Sequence, residues 1–252
     1  WANPEIRARM IEKIRNSPPR SEEARKKYSE AAKNRKITEK KKYNLHRILN
    51  FMAKFVLRYH KIPGVRYTES NNSGEDFTKP AVIICNHQSH LDLAPMLALT
   101  PKIIVLTADW VWNNPVYRFT IRNAEFLPAS SGMDAIMPQL KSLVERGYSI
   151  AVYPEGTRSM DCSIGRFRQG AFHVAQTLGI DILPVVIYGT GKALKKRGRL
   201  LRKWPVHMEI DRRITPEEMM SMGETTRRQA SQMRKYYQKR YTEIADRIEQ
   251  DV

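Results

Sequence analysis

Ala81-Val82-Ile83-Ile84-Cys85-Asn86-His87-Gln88-Ser89-His90-Leu91-Asp92 decides the reading of this chain. Its five leading apolar residues predict a short buried strand, and polar residues follow at once. Leu91 to Thr100 then has a helical pattern, with Pro95 tolerated in the first turn. The strand delivers His87 to its carboxyl end, where open α/β sheets place ligands. Asp92 comes five residues after His87, an offset of roughly 140° on a continuous helix, so the pair meets only if His87 sits in the turn. A carboxylate so placed fixes the tautomer of the imidazole and leaves its other nitrogen to take a proton from a hydroxyl. The same residues carry a plainer reading, in which Ser89-x-x-Asp92 is a capping box that closes the helix N-terminus. A metal site on His87, His90 and Asp92 is disfavoured, because no second cluster adds ligands.

The chain has 252 residues, enough for one large α/β domain with appendages. Two cysteines, 77 positions apart, form no disulfide framework and indicate a reducing compartment. No apolar run is long enough to span a bilayer, and none resembles a secretory signal. The chain opens on Trp1 and not on methionine, as a fragment or a processed form does. Its net charge of +18 is concentrated at the front: residues 1–61 hold 18 Lys and Arg against 6 Glu. That excess predicts an anionic partner surface, lipid or nucleic acid, against the alternative of a solvated basic face.

Residues 1–42 read as a basic helical extension, one helix before Ser17-Pro18-Pro19 and another from about Ser21. Leu45, Ile48, Leu49, Met52, Phe55, Val56 and Tyr59 then recur at helical spacing, with Arg47, Lys54 and Arg58 elsewhere on the wheel. Residues 43–62 are therefore expected to form an amphipathic membrane-interface helix, docking on the protein's own sheet being the alternative. Strands are expected at Val65–Tyr67, Lys102–Leu106, Glu125–Pro128, Tyr148–Tyr153, Ile182–Ile187 and Val206–Ile210, and helices at Asp134–Arg146 and Phe167–Leu178. Trp110, Trp112, Tyr117 and Phe119 belong to an aromatic segment suited to core packing or to an acyl pocket. The alternation calls for an α/β fold over residues 63–215, a mainly parallel sheet flanked by helices, followed by C-terminal helices in 216–252.

The fourth strand empties into Pro154-Glu155-Gly156-Thr157-Arg158-Ser159. A Gly-containing turn with an Arg fork and two hydroxyls suits an anionic group. Taken together, Asn86-His87-x4-Asp92, Tyr153 to Ser159, Phe167-x2-Gly170 and Leu183-Pro184-Val185-Val186 resemble, in order and spacing, the phospholipid/glycerol acyltransferase superfamily typified by 1-acylglycerol-3-phosphate acyltransferase. The likeness runs from about Asn44 to Ile214. It implies transfer of a fatty acyl chain from acyl-CoA or acyl carrier protein, as co-substrate and with no cofactor, to a lysolipid hydroxyl. His87 is then the general base, Asp92 its support, and Glu155, Gly156, Thr157 and Arg158 the acceptor-binding turn. With the basic amphipathic helix, the expectation is a peripheral or monotopic place on the cytoplasmic face of an anionic membrane, with no nucleic acid as partner.

One departure stands out. Where the family commonly has an aromatic-aliphatic-acid-Arg block that helps bind the acceptor phosphate, this chain has Phe126-Leu127-Pro128-Ala129-Ser130. Either Arg122, Arg118 or Lys102 substitutes, or the acceptor is a lyso-aminolipid without that phosphate. Two other classes are weighed. A basic nucleic-acid-binding protein would use the Lys192–Lys203 patch, with seven Lys and Arg, and the stretch from Arg227 to Arg240, but it leaves the His-Asp pair unexplained. A catalytically dead scaffold on the same fold is suggested only by the missing Arg. A serine hydrolase lacks its Gly-x-Ser-x-Gly elbow, and Cys85, ending an apolar strand, suits packing better than attack.

Overall fold

A strand with neighbours on both edges and helices on its faces must be apolar throughout. This chain supplies such runs between helical segments. The computed structural model describes residues 22–58, 65–108, 120–121, 123–129, 132–198 and 200–250, with the side chains of the first helix described from Thr38. In chain order the elements are α1 (Glu22–Arg58), β1 (Val65–Asn71), β2 (Val82–Cys85), a 3-10 turn (His90–Asp92), α2 (Leu93–Leu99), β3 (Ile103–Thr107), β4 (Leu127–Pro128), α3 (Met133–Glu145), β5 (Ser149–Val152), α4 (Gly170–Leu178), β6 (Ile182–Tyr188), α5 (Thr190–Ala193), β7 (Trp204–Ile210), α6 (Pro216–Met222) and α7 (Thr226–Glu249). The expected helix at Leu91–Thr100 thus splits into a 3-10 turn and a short α-helix, and the one at Phe167 begins at Gly170. The expected helix before Ser17, Tyr59 and the aromatic segment 110–119 lie outside the described residues, as do Arg118 and Arg122.

The seven strands lie in the order β1-β7-β6-β2-β5-β3-β4. All neighbours are parallel except β6 and β7, which pair antiparallel, so β1 and β7 run against the other five. This is the mainly parallel, helix-flanked sheet the sequence predicts. β2 is the central strand, with Ile83 opposite Ala151 of β5 and Leu183 of β6, and all four of its residues are buried. Helices α3, α4 and α7 lie side by side over β5, β2 and β6.

Lys42–Val252 form one compact unit, and α7 is anchored inside it. Tyr237, fully buried, donates its hydroxyl proton to the Ile84 carbonyl at 2.5 Å and accepts the Val185 N–H at 3.1 Å, bridging β2 and β6. Further along, Arg240 and Arg247 both reach the buried Glu209 of β7. Those guanidinium and His207 contacts outweigh the cost of burial and hold the Glu209 carboxyl down at about 2.

The part of α1 in this unit has two working faces. His46, Asn50 and Ala53, one helical stripe, are buried, and Asn50 Nδ2 donates to the Leu97 carbonyl at 2.7 Å. Tyr43, Leu45 and Leu49 pack beside them. Ile48, Phe51 and Met52, by contrast, are 58%, 65% and 50% exposed, and Arg47 and Lys54 are exposed with them. The apolar stripe read from the sequence is therefore divided, with Leu45 and Leu49 facing the core and Ile48 and Met52 facing out. Inside, the His46 ring lies tilted against Tyr148 and Phe126, and among the described residues its Nε2 has no hydrogen-bond partner. Burial pushes its pKa down to about 4.

Two outcomes are expected. Tyr237→Phe removes the hydroxyl shared by the buried Ile84 carbonyl and Val185 N–H, and should lower stability in urea unfolding by about 1–3 kcal/mol at unchanged m-value. His46 titrates lower folded than unfolded, so its neutral form contributes stability that is complete above pH 6.5 and is lost as pH falls towards 4. The loss should approach about 3 kcal/mol below pH 4. Unfolding free energies of wild type and His46→Phe measured from pH 7 to 4 should diverge by that amount, and parallel curves would remove the assignment.

Candidate active site

The central strand ends at Cys85, and every following residue is tied down by a different element. Asn86 exchanges two hydrogen bonds with the backbone of Ile187, Nδ2 to O and N to Oδ1, both at 2.8 Å. Its amide thereby extends the β2–β6 ladder one residue past the strand. His87 comes next and is held at both backbone ends: its N–H donates to Glu155 Oε1 at 2.9 Å, and its carbonyl accepts the Ser159 N–H at 2.8 Å.

The imidazole meets Asp92. His87 Nδ1 lies 2.8 Å from Asp92 Oδ2, and the same oxygen accepts the Gln88 and Ser89 N–H groups at 2.7 and 2.9 Å. Asp92 is 0% exposed, while His87 is partly open. An acceptor-only carboxylate at Nδ1 requires Nδ1 to carry the proton, which leaves Nε2 as the basic nitrogen. Among the described residues Nε2 has no hydrogen-bond partner. Tyr153 completes the mount. Its ring stacks on His87 at 4.2 Å between centroids and 23° between planes, and its hydroxyl donates to the Asp92 carbonyl at 3.1 Å. Burial pushes the Tyr153 hydroxyl well up, so it stays a donor.

The capping box is present too: Ser89 Oγ accepts the Leu91 N–H at 3.3 Å, and Asp92 returns the bond to Ser89 N–H. The two readings of Asp92 are therefore one arrangement. A 3-10 turn in place of an α-turn at His90–Asp92 brings the carboxylate back over the loop.

His87 opens onto a cavity of about 640 Å³. Its apolar wall includes Leu49 of α1, Leu93 and Leu97 of α2, Val105 of β3, and Phe126. Its polar end is built from His90, Gly156, Thr157, Arg158 and Lys196. Burial, with the nearby Arg158 charge, pushes the His90 pKa down. Gly156 has φ +69, a left-handed backbone that favours glycine, while the nearest obstacle to a Cβ there is the movable Arg168 guanidinium at 2.7 Å.

Gly156, Thr157 and Arg158 thus line the cavity with His87, but Glu155 has a different place. It is buried, its two oxygens accept the backbone N–H groups of His87 and Gly165, each at 2.9 Å, and it does not line the His87 cavity. Burial pushes its carboxyl up against the pull of those two donors. Lys102 is displaced as well. It precedes β3, whose far end supplies Thr107 to the cavity, and its ammonium points to the Arg146 carbonyl at 3.4 Å. Cys85 is buried with its thiol pushed well up, unlike a nucleophile.

Sequence reasoning missed Lys196, Tyr153 and Leu49 as site residues. Tyr153 stood inside the quoted motif. Lys196 lay in a basic patch with no signal to single it out, and reaches the cavity through the loop after α5, where its Nζ donates to Thr157 Oγ1 at 2.9 Å and to the Arg158 carbonyl at 2.7 Å.

Comparison with known proteins identifies the family. Residues 64–188, about half of the chain, match the family model described as Acyltransferase. The chloroplastic 1-acyl-sn-glycerol-3-phosphate acyltransferase LPAT1 of Arabidopsis thaliana is 32% identical over 120 residues, 46% of this chain and 33% of that protein. The 1-acyl-sn-glycerol-3-phosphate acyltransferase beta of Homo sapiens is 26% identical over 144 residues, 55% of this chain and 52% of that protein. The chain therefore spans between a third and about half of the length of these relatives. The crystal structure of the 1-acyl-sn-glycerophosphate acyltransferase PlsC from Thermotoga maritima superposes with a TM-score of 0.60 at 23% identity, over 77% of this chain and 79% of that one, a likeness of fold. With His87 of the His-x4-Asp loop and Gly156, Thr157 and Arg158 of the following turn lining one cavity of that fold, the chain belongs to the phospholipid/glycerol acyltransferase superfamily.

Proposed function

We propose that this protein moves a fatty acyl group from an acyl thioester, acyl-CoA or acyl carrier protein, to the free hydroxyl of a lysolipid, with 1-acylglycerol 3-phosphate as the favoured acceptor. The observation that carries the reading is the His87 Nδ1–Asp92 Oδ2 contact at 2.8 Å on the wall of an apolar cavity with a cationic end. His87 Nε2 takes the proton of the acceptor hydroxyl as its oxygen attacks the thioester carbonyl carbon. The tetrahedral adduct collapses, the carbon–sulfur bond breaks, and the thiolate receives the proton from Nε2. An ester and a thiol result, with no covalent enzyme intermediate. Asp92 holds the ring in the basic tautomer and stabilises the imidazolium that forms between the two proton transfers.

The apolar wall suits the acyl chains, and Leu49 joins that wall to the helix that bears Ile48, Phe51 and Met52 on its outside. Exposed apolar residues flanked by Arg47 and Lys54 fit a peripheral seat on an anionic lipid surface, from which a lysolipid enters beside the same helix. Among the described residues no helix is long and apolar enough to cross a membrane.

His87→Ala should lower acyl transfer by roughly 10²–10⁴-fold at near-native melting temperature. Asp92→Asn should cost nearly as much, because an amide can present Nδ1 with a donor and so favour the wrong tautomer. Full activity in Asp92→Asn together with early melting would reduce Asp92 to a helix cap. On vesicles containing anionic lipid, the double change Phe51→Ser and Met52→Ser should weaken binding in a way that persists at high salt, since apolar burial is not screened. Arg47→Gln with Lys54→Gln should weaken it chiefly at low salt. Vesicle binding indifferent to both pairs would withdraw the helix from the interface.

A further inference from the structure

We propose that Lys196 replaces the cation missing at Ala129 and, with Arg158, forms a two-cation seat for the phosphate of the acceptor, a reading that rests on the lysolipid acyltransferase function above. Ala129 follows β4, is half-buried against the core, and does not line the His87 cavity, so its position presents no cation there; Arg118 and Arg122 lie outside the described residues. Lys102 lies at the opposite end of β3. Among the described residues, Arg158 and Lys196 are the two permanently charged groups in the cavity wall, and no carboxylate lines it to compete for them.

The two are braced on each other. Lys196 Nζ donates to Thr157 Oγ1 and to the Arg158 carbonyl at 2.9 and 2.7 Å, while Arg158 Nη1 donates to the Lys196 carbonyl at 3.3 Å. An ammonium has three N–H donors and a guanidinium five, so one of the first and most of the second remain for a ligand. A phosphate monoester offers several charged oxygens, which an Arg fork and a Lys point charge satisfy together. The seat is also registered to the base. Thr157 and Arg158 follow Glu155, whose carboxylate holds the backbone of His87. In 1-acylglycerol 3-phosphate the reacting hydroxyl sits on the carbon next to the phosphoester carbon, so base and seat must share one cavity, as His87 and Lys196 do.

A structural brace would produce some of the same contacts, and the test separates the two. Calorimetric binding of a soluble short-chain 1-acylglycerol 3-phosphate and of the matching 1-acylglycerol would be compared in wild type, Lys196→Met and Lys196→Arg, alongside acylation kinetics and melting temperature. Lys196→Met should weaken binding of the phosphate-bearing ligand and raise its KM by roughly 10–100-fold. Binding of the phosphate-free ligand, kcat and melting temperature should stay near wild type, and Lys196→Arg should recover most of the loss. Unchanged phosphate-ligand affinity in Lys196→Met would overturn the seat while leaving acyl transfer intact. Equal loss for both ligands with a lowered melting temperature would overturn it in favour of a brace. Lys196-dependent binding of the phosphate ligand by a wild-type protein that acylates neither ligand would uphold the seat and overturn the acyltransferase reading instead.

Discussion

The interaction on which the site depends is the gathering of three N–H donors onto a single oxygen of Asp92. Oδ2 receives the His87 imidazole and the Gln88 and Ser89 backbones, inside a shell that leaves no part of Asp92 exposed. A buried carboxylate is costly unless donors surround it, and here the donors are the loop it must shape. Loop conformation and imidazole tautomer are consequently set by one contact. Among the described residues the companion oxygen, Oδ1, is buried without a hydrogen-bond partner, so Oδ2 accepts all three of these bonds.

That loop is in turn suspended from three strands. Asn86 ties it to β6, Glu155 and Tyr153 tie it to the end of β5, and Tyr237 of α7 stitches β2 to β6 just beneath it. A general base is useful only if it is held to a fraction of an ångström, and rigid elements supply that better than a free loop. Glu155 illustrates the principle. A family motif residue that faces the substrate in the sequence reading turns out to face backwards, where it fixes the backbone of the base and the start of the 165–169 loop. Its neighbours Gly156, Thr157 and Arg158 are thereby turned into the cavity.

The segment from Lys42 to Arg58 shows how one helix serves both core and surface. Its periodicity holds enough apolar residues for two stripes about a turn apart, and the buried one includes polar residues, His46 and Asn50, that sequence hydrophobicity does not select. Asn50 is accepted inside because it caps the α2 carbonyl of Leu97, and His46 because burial keeps it neutral. With those inward, the larger side chains Phe51 and Met52 face out.

Much of the architecture was legible in the chain itself, for a local reason. A strand buried on both faces must be a continuous apolar run, and Val82–Cys85, Ile150–Val152 and Ile182–Tyr188 are such runs, each followed by turn residues. Alternation with helices then calls for a mainly parallel sheet. The pairing of His87 with Asp92 was legible too, because both residues lie within one short loop. What the tertiary structure alone decided are relations between distant segments: that β7 enters antiparallel beside β6, that the C-terminal Tyr237 bonds the central strand, that Glu155 turns away from the cavity, and that Lys196 reaches a turn 38 residues before it. Nothing in spacing or periodicity encodes such contacts. They follow from the strand order, which brings segments far apart in the chain to the same carboxyl edge of one sheet.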